Sequence, residues 1–170
     1  TYLTAHFGKW HLGTSTPDNH GFDRQDGANG NNEGNAANGQ DIQTDPKKIF
    51  TLSDSAMNFM DDAVSASRPF YLQVSHYAVH TAVEATQSSF NTYSDPTLRP
   101  VGTTHNSPIY GAMTEDLDQG LGLILDKIDA LGIENDTYII YMSDNGAQNN
   151  QSSNEPLRKS KIFLYEGGIR

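Results

Sequence analysis

Between Tyr110 and Leu131 the residues Tyr110, Met113, Leu117, Leu121, Ile124, Leu125, Ile128 and Leu131 recur at three- and four-residue steps, and shortly afterwards comes the run Thr137 to Met142, TYIIYM. The first pattern is one face of a helix, with Gly132 as its stop. The second, β-branched and aromatic, is that of a core strand. A weaker version of the same order precedes it. Ile49, Leu52, Ala56, Phe59, Met60 and Ala63 predict a helix within Asp45 to Ala66, Arg68-Pro69 ends it, and Phe70 to Val74 predicts a short buried strand. Helices feeding strands in this way predict an α/β fold with a largely parallel sheet.

The remaining segments carry less pattern. Asp26 to Gln40, DGANGNNEGNAANGQ, reads as a long mobile loop. It is no helix–loop–helix calcium loop, because Ala28 stands where that motif needs Asp or Asn. Thr81 to Pro108 reads as an irregular surface excursion. On the second helix Asp116, Asp118 and Asp126 are expected to face solvent.

Charge narrows the function. With 21 acidic against 11 basic side chains the net charge is −10, which argues against nonspecific nucleic-acid binding and requires any anionic ligand to be met by a local pocket of positive charge. No apolar run approaches the roughly 20 residues of a membrane helix. The absence of cysteine removes disulfides, thiolate metal sites and a cysteine nucleophile from these residues. The chain opens at Thr1 without a leader and stops at Arg170 just after a glycine pair, so it is expected to be an internal piece of a longer protein.

In open α/β sheets ligands bind beyond the carboxyl ends of strands. The first inferred strand leads there into Ser75-His76-Tyr77-Ala78-Val79-His80, the second into Ser143-Asp144-Asn145-Gly146. Asp144 and Asn145 offer hard oxygen ligands of the kind calcium or magnesium prefers, although SDNG taken alone is first of all a turn sequence. Gly8-Lys9-Trp10-His11-Leu12-Gly13 sets an ammonium and an imidazole two residues apart. Lys9 could fix an anion while His11 moves a proton, or the segment could be an exposed turn beside a packed Trp. Arg158, Lys159 and Lys161 gather positive charge before the Tyr165-Glu166-Gly167-Gly168 turn, as a solvated loop or as the cationic wall of an anion site.

Taken in order, these segments resemble the sulfatase family of the alkaline-phosphatase-like superfamily. TYLTAHFGKWHLG is similar to its second signature, HGFD to the continuation, and PFYLQVSHYAVHTAV to its strand and histidine loop. YGAMTEDLDQGLGLILDKIDALGIENDTYIIYMSDNGA resembles its helix, strand and metal-binding turn, and PLRKSKIFLYEGGIR its late lysine loop. The likeness leaves out the Asn/Gly-rich loop and Gln87 to Ser107. It implies part of an alkaline-phosphatase-like sandwich, residues 1–170 forming an incomplete catalytic domain. It also implies hydrolysis of small-molecule or carbohydrate sulfate esters by in-line displacement at sulfur.

The same resemblance implies that Asp144 and Asn145 are calcium ligands, that Lys9 contacts the sulfate and the nucleophile, and that His11 accepts a proton from the nucleophile's hydroxyl. His80 would bind a sulfate oxygen or the leaving-group side together with Lys161, and His76 does not align with a functional histidine. The nucleophile would be a formylglycine made by a maturation enzyme from a Cys or Ser outside this chain. The chain would then hold about half of the site, be inactive by itself, and belong to an extracytoplasmic protein. Two departures from the family pattern are HTAV, where a Pro commonly follows His-Thr, and RKSKI, where glycines are common. The second leaves Lys159 a competitor of Lys161, which counting back from the YEGG turn favours. Competing readings are a phosphodiesterase or phosphonate hydrolase of the same superfamily and a noncatalytic calcium-binding relative.

Overall fold

The computed structural model describes residues 1–30, 40–99 and 104–170. Most of the Asp26 to Gln40 loop therefore lies outside the described residues. Among the described residues five strands occur: β1 (Leu3–Gly8), β2 (Arg24–Gln25), β3 (Gln40–Ile42), β4 (Phe70–Ser75) and β5 (Val83–Ala85). Four α-helices accompany them: α1 (Ile49–Ser65), α2 (Gln87–Ser94), α3 (Pro108–Ala130) and α4 (Glu166–Ile169). The strands form a sheet of order β2-β1-β4 and a two-stranded β3-β5 pair, every pairing parallel. Among the described residues no helix is long and apolar enough to cross a membrane.

The α1 face predicted from periodicity is the buried one, with Ile49, Leu52, Ala56, Phe59, Met60 and Ala63 all 3% exposed or less. Leu52 and Phe59 pack with Ala5 and Phe7 of β1, while Ala56 and Met60 pack with Ile124 and Ile128 of α3. Burying side chains of this size contributes about 1.5–3 kcal/mol each, so α1 joins the sheet to α3 chiefly through this stripe. A polar link reinforces it, the Ser53 hydroxyl donating to the Gly120 carbonyl at 2.9 Å. Gly132, with φ +67°, ends α3 as its sequence predicts.

Several expectations are corrected. Phe70 to Val74 is a strand, but its burial alternates, Tyr71 and Gln73 standing exposed between Phe70, Leu72 and Val74. The supposed irregular excursion contains β5 and α2. Short strands and a polar eight-residue helix carry too little periodicity to be read, but β5 is wholly buried and packs on Ile109, Ala112 and Met113. Thr137 to Met142 joins no ladder among the described residues, with Tyr138 99% and Ile140 83% exposed. Its composition is that of a core strand, but no described strand lies beside it to accept its hydrogen bonds.

Asp116 is the sharpest correction. It is fully buried, not solvated, and accepts hydrogen bonds from the Thr86 amide (2.7 Å), the Thr86 hydroxyl (2.8 Å) and the Ser89 hydroxyl (2.6 Å). Through these it fastens the start of α2 to α3, so buried charge and buried donors satisfy one another. Replacing Asp116 with Ala leaves three donors without an acceptor and is expected to cost roughly 2–4 kcal/mol. Urea unfolding checks this, and a loss below about 0.5 kcal/mol would restore the solvated reading.

Candidate active site

The β1–β4 ladder runs in register from Leu3 opposite Phe70 to Gly8 opposite Ser75, so both strands end side by side. Gly8 has φ +93°, and a Cβ there would collide with the Ser75 carbonyl. Only glycine allows this approach. The Gly8 amide reaches the Asp26 carboxylate, 3.0 Å from each oxygen, and the Lys9 amide donates to the Ser75 carbonyl at 2.8 Å. Lys9 thus leaves the sheet at the carboxyl end of its strand. Trp10 is packed, as one sequence alternative held, its ring 4.9 Å from His6, 5.3 Å from His20 and 6.0 Å from Phe22. Its amide and that of His11 both donate to the Asn29 carbonyl.

The distant SDNG turn meets this loop. Lys9 Nζ lies 3.3 Å from Asp144 Oδ2, joining two segments 135 residues apart. The same turn is latched to the lysine loop, the Gly146 amide donating to the Gly168 carbonyl and the Lys161 amide to the Ala147 carbonyl, each at 3.1 Å. A Cβ on Gly146 would collide with the Gly167 carbonyl, and one on Gly167 with the Lys159 carbonyl. The glycine pair is therefore required by backbone-on-backbone packing. Within that loop the Arg158 guanidinium lies 3.8 Å from the Tyr165 ring centre and Lys159 Nζ 5.0 Å from that of Phe163. Lys161 instead lines a hollow of about 340 Å³ with Gln148 and Asn149.

His80 connects these pieces electrostatically. Its Nδ1 lies 2.6 Å from the Thr81 carbonyl, which can only accept, so Nδ1 carries the proton and Nε2 the lone pair of the neutral ring. Burial lowers its pKa, the Thr81 hydrogen bond opposes this, and the positive charges of Lys161, Lys9 and Lys47 lower it further. Lys159 is not among these neighbours. Lys47 escaped the sequence reading. It is 2% exposed, with its amide donating to the buried Glu84 carboxylate at 2.7 Å. The available signal was a lysine pair just ahead of α1, where the helix dipole disfavours positive charge and another reason for it is needed.

Lys9, His80, Lys161 and Asp144 are thus brought into one region. His11 is exposed at φ +56°, and no hydrogen bond or ion pair among the described residues ties its imidazole to the others. Asn145 is half-buried beside Asp144, its carbonyl accepting from the Ser143 hydroxyl at 2.6 Å. Asp144 and Asn145 fit a hard cation in donor chemistry and could give two of the six to eight oxygens calcium takes. Among the described residues no cluster of three or more His, Asp or Glu completes such a shell.

The sulfatase family model matches residues 1–170, so the chain belongs to that family. It is 28% identical over 200 aligned positions to N-acetylgalactosamine-6-sulfatase of Canis lupus familiaris, covering 99% of this chain and 36% of that one. It is 36% identical over 105 positions to arylsulfatase J of Mus musculus, covering 61% and 17%. The crystal structure of Ps i-CgsB in complex with k-i-k-neocarrahexaose superposes with a TM-score of 0.80 at 26% identity, covering 99% of this chain and 43% of that one. The alkaline-phosphatase-like fold expected from the sequence is borne out by these structural neighbours. The chain spans less than half the length of each of these relatives.

His76, one residue beyond β4, is largely buried, and its Nε2 has no hydrogen-bond partner among the described residues. Burial lowers its pKa from 6.5 to about 4. The folded state therefore resists protonation while the unfolded state does not. Above the unfolded value both states are neutral and His76 has no effect. As pH falls from about 6.5 to about 4 the unfolded state binds the proton first, so stability declines by on the order of 3 kcal/mol and then levels off. Urea unfolding across this window is expected to show a shallower decline in His76→Gln than in the parent, whereas parallel curves would contradict the assignment.

Proposed function

We propose that this chain is part of the catalytic domain of a sulfuric ester hydrolase, and that Lys9, His80 and Lys161 surround the sulfate that is transferred. The observation that carries the reading is that Lys9 at the end of β1 meets Asp144 of the SDNG turn at 3.3 Å, while that turn is latched to the loop bearing Lys161. The charges of Lys161 and Lys9 also reach His80, and basic groups so placed in a chain of net charge −10 suit an anion. In a site shielded from water such charges stabilise the negative charge that builds up on oxygen during displacement at sulfur.

His80 has a defined part in this account. Repulsion from the lysines favours its neutral form, and a sulfate dianion or monoester placed among them offsets that repulsion and allows Nε2 to take up a proton. The imidazole can then hold a sulfate oxygen by a charge-assisted hydrogen bond or protonate the departing oxygen. Lys161, whose charge reaches His80, holds a second oxygen. Lys9, paired with Asp144, bridges the sulfate and the cation turn. His11 is proposed to receive the nucleophile's proton, which requires its exposed ring to turn toward the site.

Asp144 and Asn145 are proposed to be the residues of this segment that would hold calcium, which when bound would supply positive charge to polarise the sulfate. The nucleophile is proposed to be a formylglycine formed by a maturation enzyme from a Cys or Ser outside these residues, which makes this segment inactive alone. The relatives' names support a sulfate monoester of a small aromatic or a carbohydrate as substrate, and family likeness supports an extracytoplasmic setting for the whole protein.

The test is release of sulfate from 4-nitrophenyl sulfate by the whole protein. His80→Ala and Lys161→Ala are each expected to lower kcat/KM by roughly 100-fold or more, and Lys159→Ala by less than about threefold. Unchanged turnover in both of the first two variants, or hydrolysis of a phosphate diester in preference to the sulfate, would overturn the reading in favour of a phosphate-ester hydrolase.

A further inference from the structure

A second cleft, of about 390 Å³, lies at the start of α3 and is lined by Tyr93, Arg99, His105, Tyr110, Gly111 and Gln151 among others. Its volume is within the range of small-molecule sites. Its construction is specific. Tyr93 lies against α3 because residue 111 has no side chain, a Cβ there standing only 2.5 Å from the Tyr93 ring. The phenol is pinned at its far end by a hydrogen bond to Glu115 at 3.1 Å. Tyr110 adds a second, half-buried ring.

Arg99 supplies the charge. Its guanidinium lies 5.5 Å from the Tyr93 ring centre and takes part in no ion pair among the described residues. The nearby Asp95 carboxylate is occupied by the Thr97 amide (2.8 Å) and hydroxyl (2.6 Å). His105 is positioned by a hydrogen bond between its Nδ1 and the Ser152 hydroxyl at 3.0 Å. An arginine lying over an aromatic ring keeps its planar fork of donors available for an oxyanion. Aromatic faces and nearby amides suit the apolar face and hydroxyls of a sugar.

The cleft adjoins the Lys161 hollow through one turn. Gln148 lines the Lys161 hollow, its carbonyl accepts the amides of Gln151 and Ser152, and these two residues line the Arg99 cleft. An extended ligand seated at Lys161 has a built surface to follow.

We infer that the Tyr93–Arg99–Tyr110 cleft is an accessory subsite for a distal, anionic sugar of a sulfated oligosaccharide, with Arg99 holding its sulfate or carboxylate. This rests on the sulfatase reading and assigns its substrate to the polyanionic saccharides rather than to small aryl esters.

The experiment is calorimetric titration of the whole protein with two probes, k-i-k-neocarrahexaose and a chondroitin 6-sulfate hexasaccharide. At least one is expected to bind, with Arg99→Gln weakening it by roughly tenfold or more, Arg99→Lys by less, and Gly111→Ala weakening it by displacing Tyr93. Arg99 is exposed, so its variants are expected to keep the parental unfolding temperature. Failure of both hexasaccharides to bind, or binding indifferent to Arg99 and Gly111, overturns the subsite. Sulfate release from 4-nitrophenyl sulfate by the parent protein reports separately on the hydrolase reading. Arg99-dependent binding without any such release would sink that reading and leave the cleft in place.

Discussion

The parallel ladder between β1 and β4 decides where everything else can be. Its register carries Gly8 to Ser75, and the Gly8 backbone passes so close to the Ser75 carbonyl that no side chain fits between them. Lys9 and the histidine loop therefore emerge from one edge of one sheet. A slip of one residue would invert the faces of β1, exchanging Ala5 and Phe7 with the His6 side and removing them from contact with Leu52 and Phe59. Packing of α1 thus fixes the register, and the register fixes the site.

A second close contact brings in the other half. Gly146, Gly167 and Gly168 allow the SDNG turn and the lysine loop to meet backbone to backbone, which sets Lys161 beside the turn that carries Asp144. The resulting region concentrates positive charge in an acidic chain, and the depressed pKa of His80 records burial first and those neighbouring lysines second. Both burial and neighbouring positive charge favour the neutral form of this imidazole.

Much of this was legible in the sequence because helix periodicity and motif residues are local signals. The α1 face, most of the α3 face apart from the exposed Leu125, the β4 strand, and the candidates Lys9, His80, Lys161, Asp144 and Asn145 could be named from pattern and resemblance. What could not be read depends on partners distant in sequence. Asp116 sits on a helix where polar residues normally face water, and its burial follows from Thr86 and Ser89, some thirty residues earlier. Thr137 to Met142 has strand chemistry, but a strand also needs a neighbour. Lys47 shows no motif, and its nearness to His80 emerges only when α1 docks. Lys159 and Lys161, competitors in the sequence, differ in their surroundings: Lys159 Nζ lies 5.0 Å from the Phe163 ring centre, while the charge of Lys161 reaches His80.

The central claim is that Lys9, His80 and Lys161 form one binding site for a tetrahedral anion. It is tested most directly by a crystal structure of the whole protein soaked with selenate in place of sulfate, with the selenium located by its anomalous scattering. The account predicts a selenium peak with oxygens within hydrogen-bonding distance of Lys9 Nζ, His80 Nε2 and Lys161 Nζ. A fully occupied anion elsewhere, with these three side chains bonded only to protein, would contradict it.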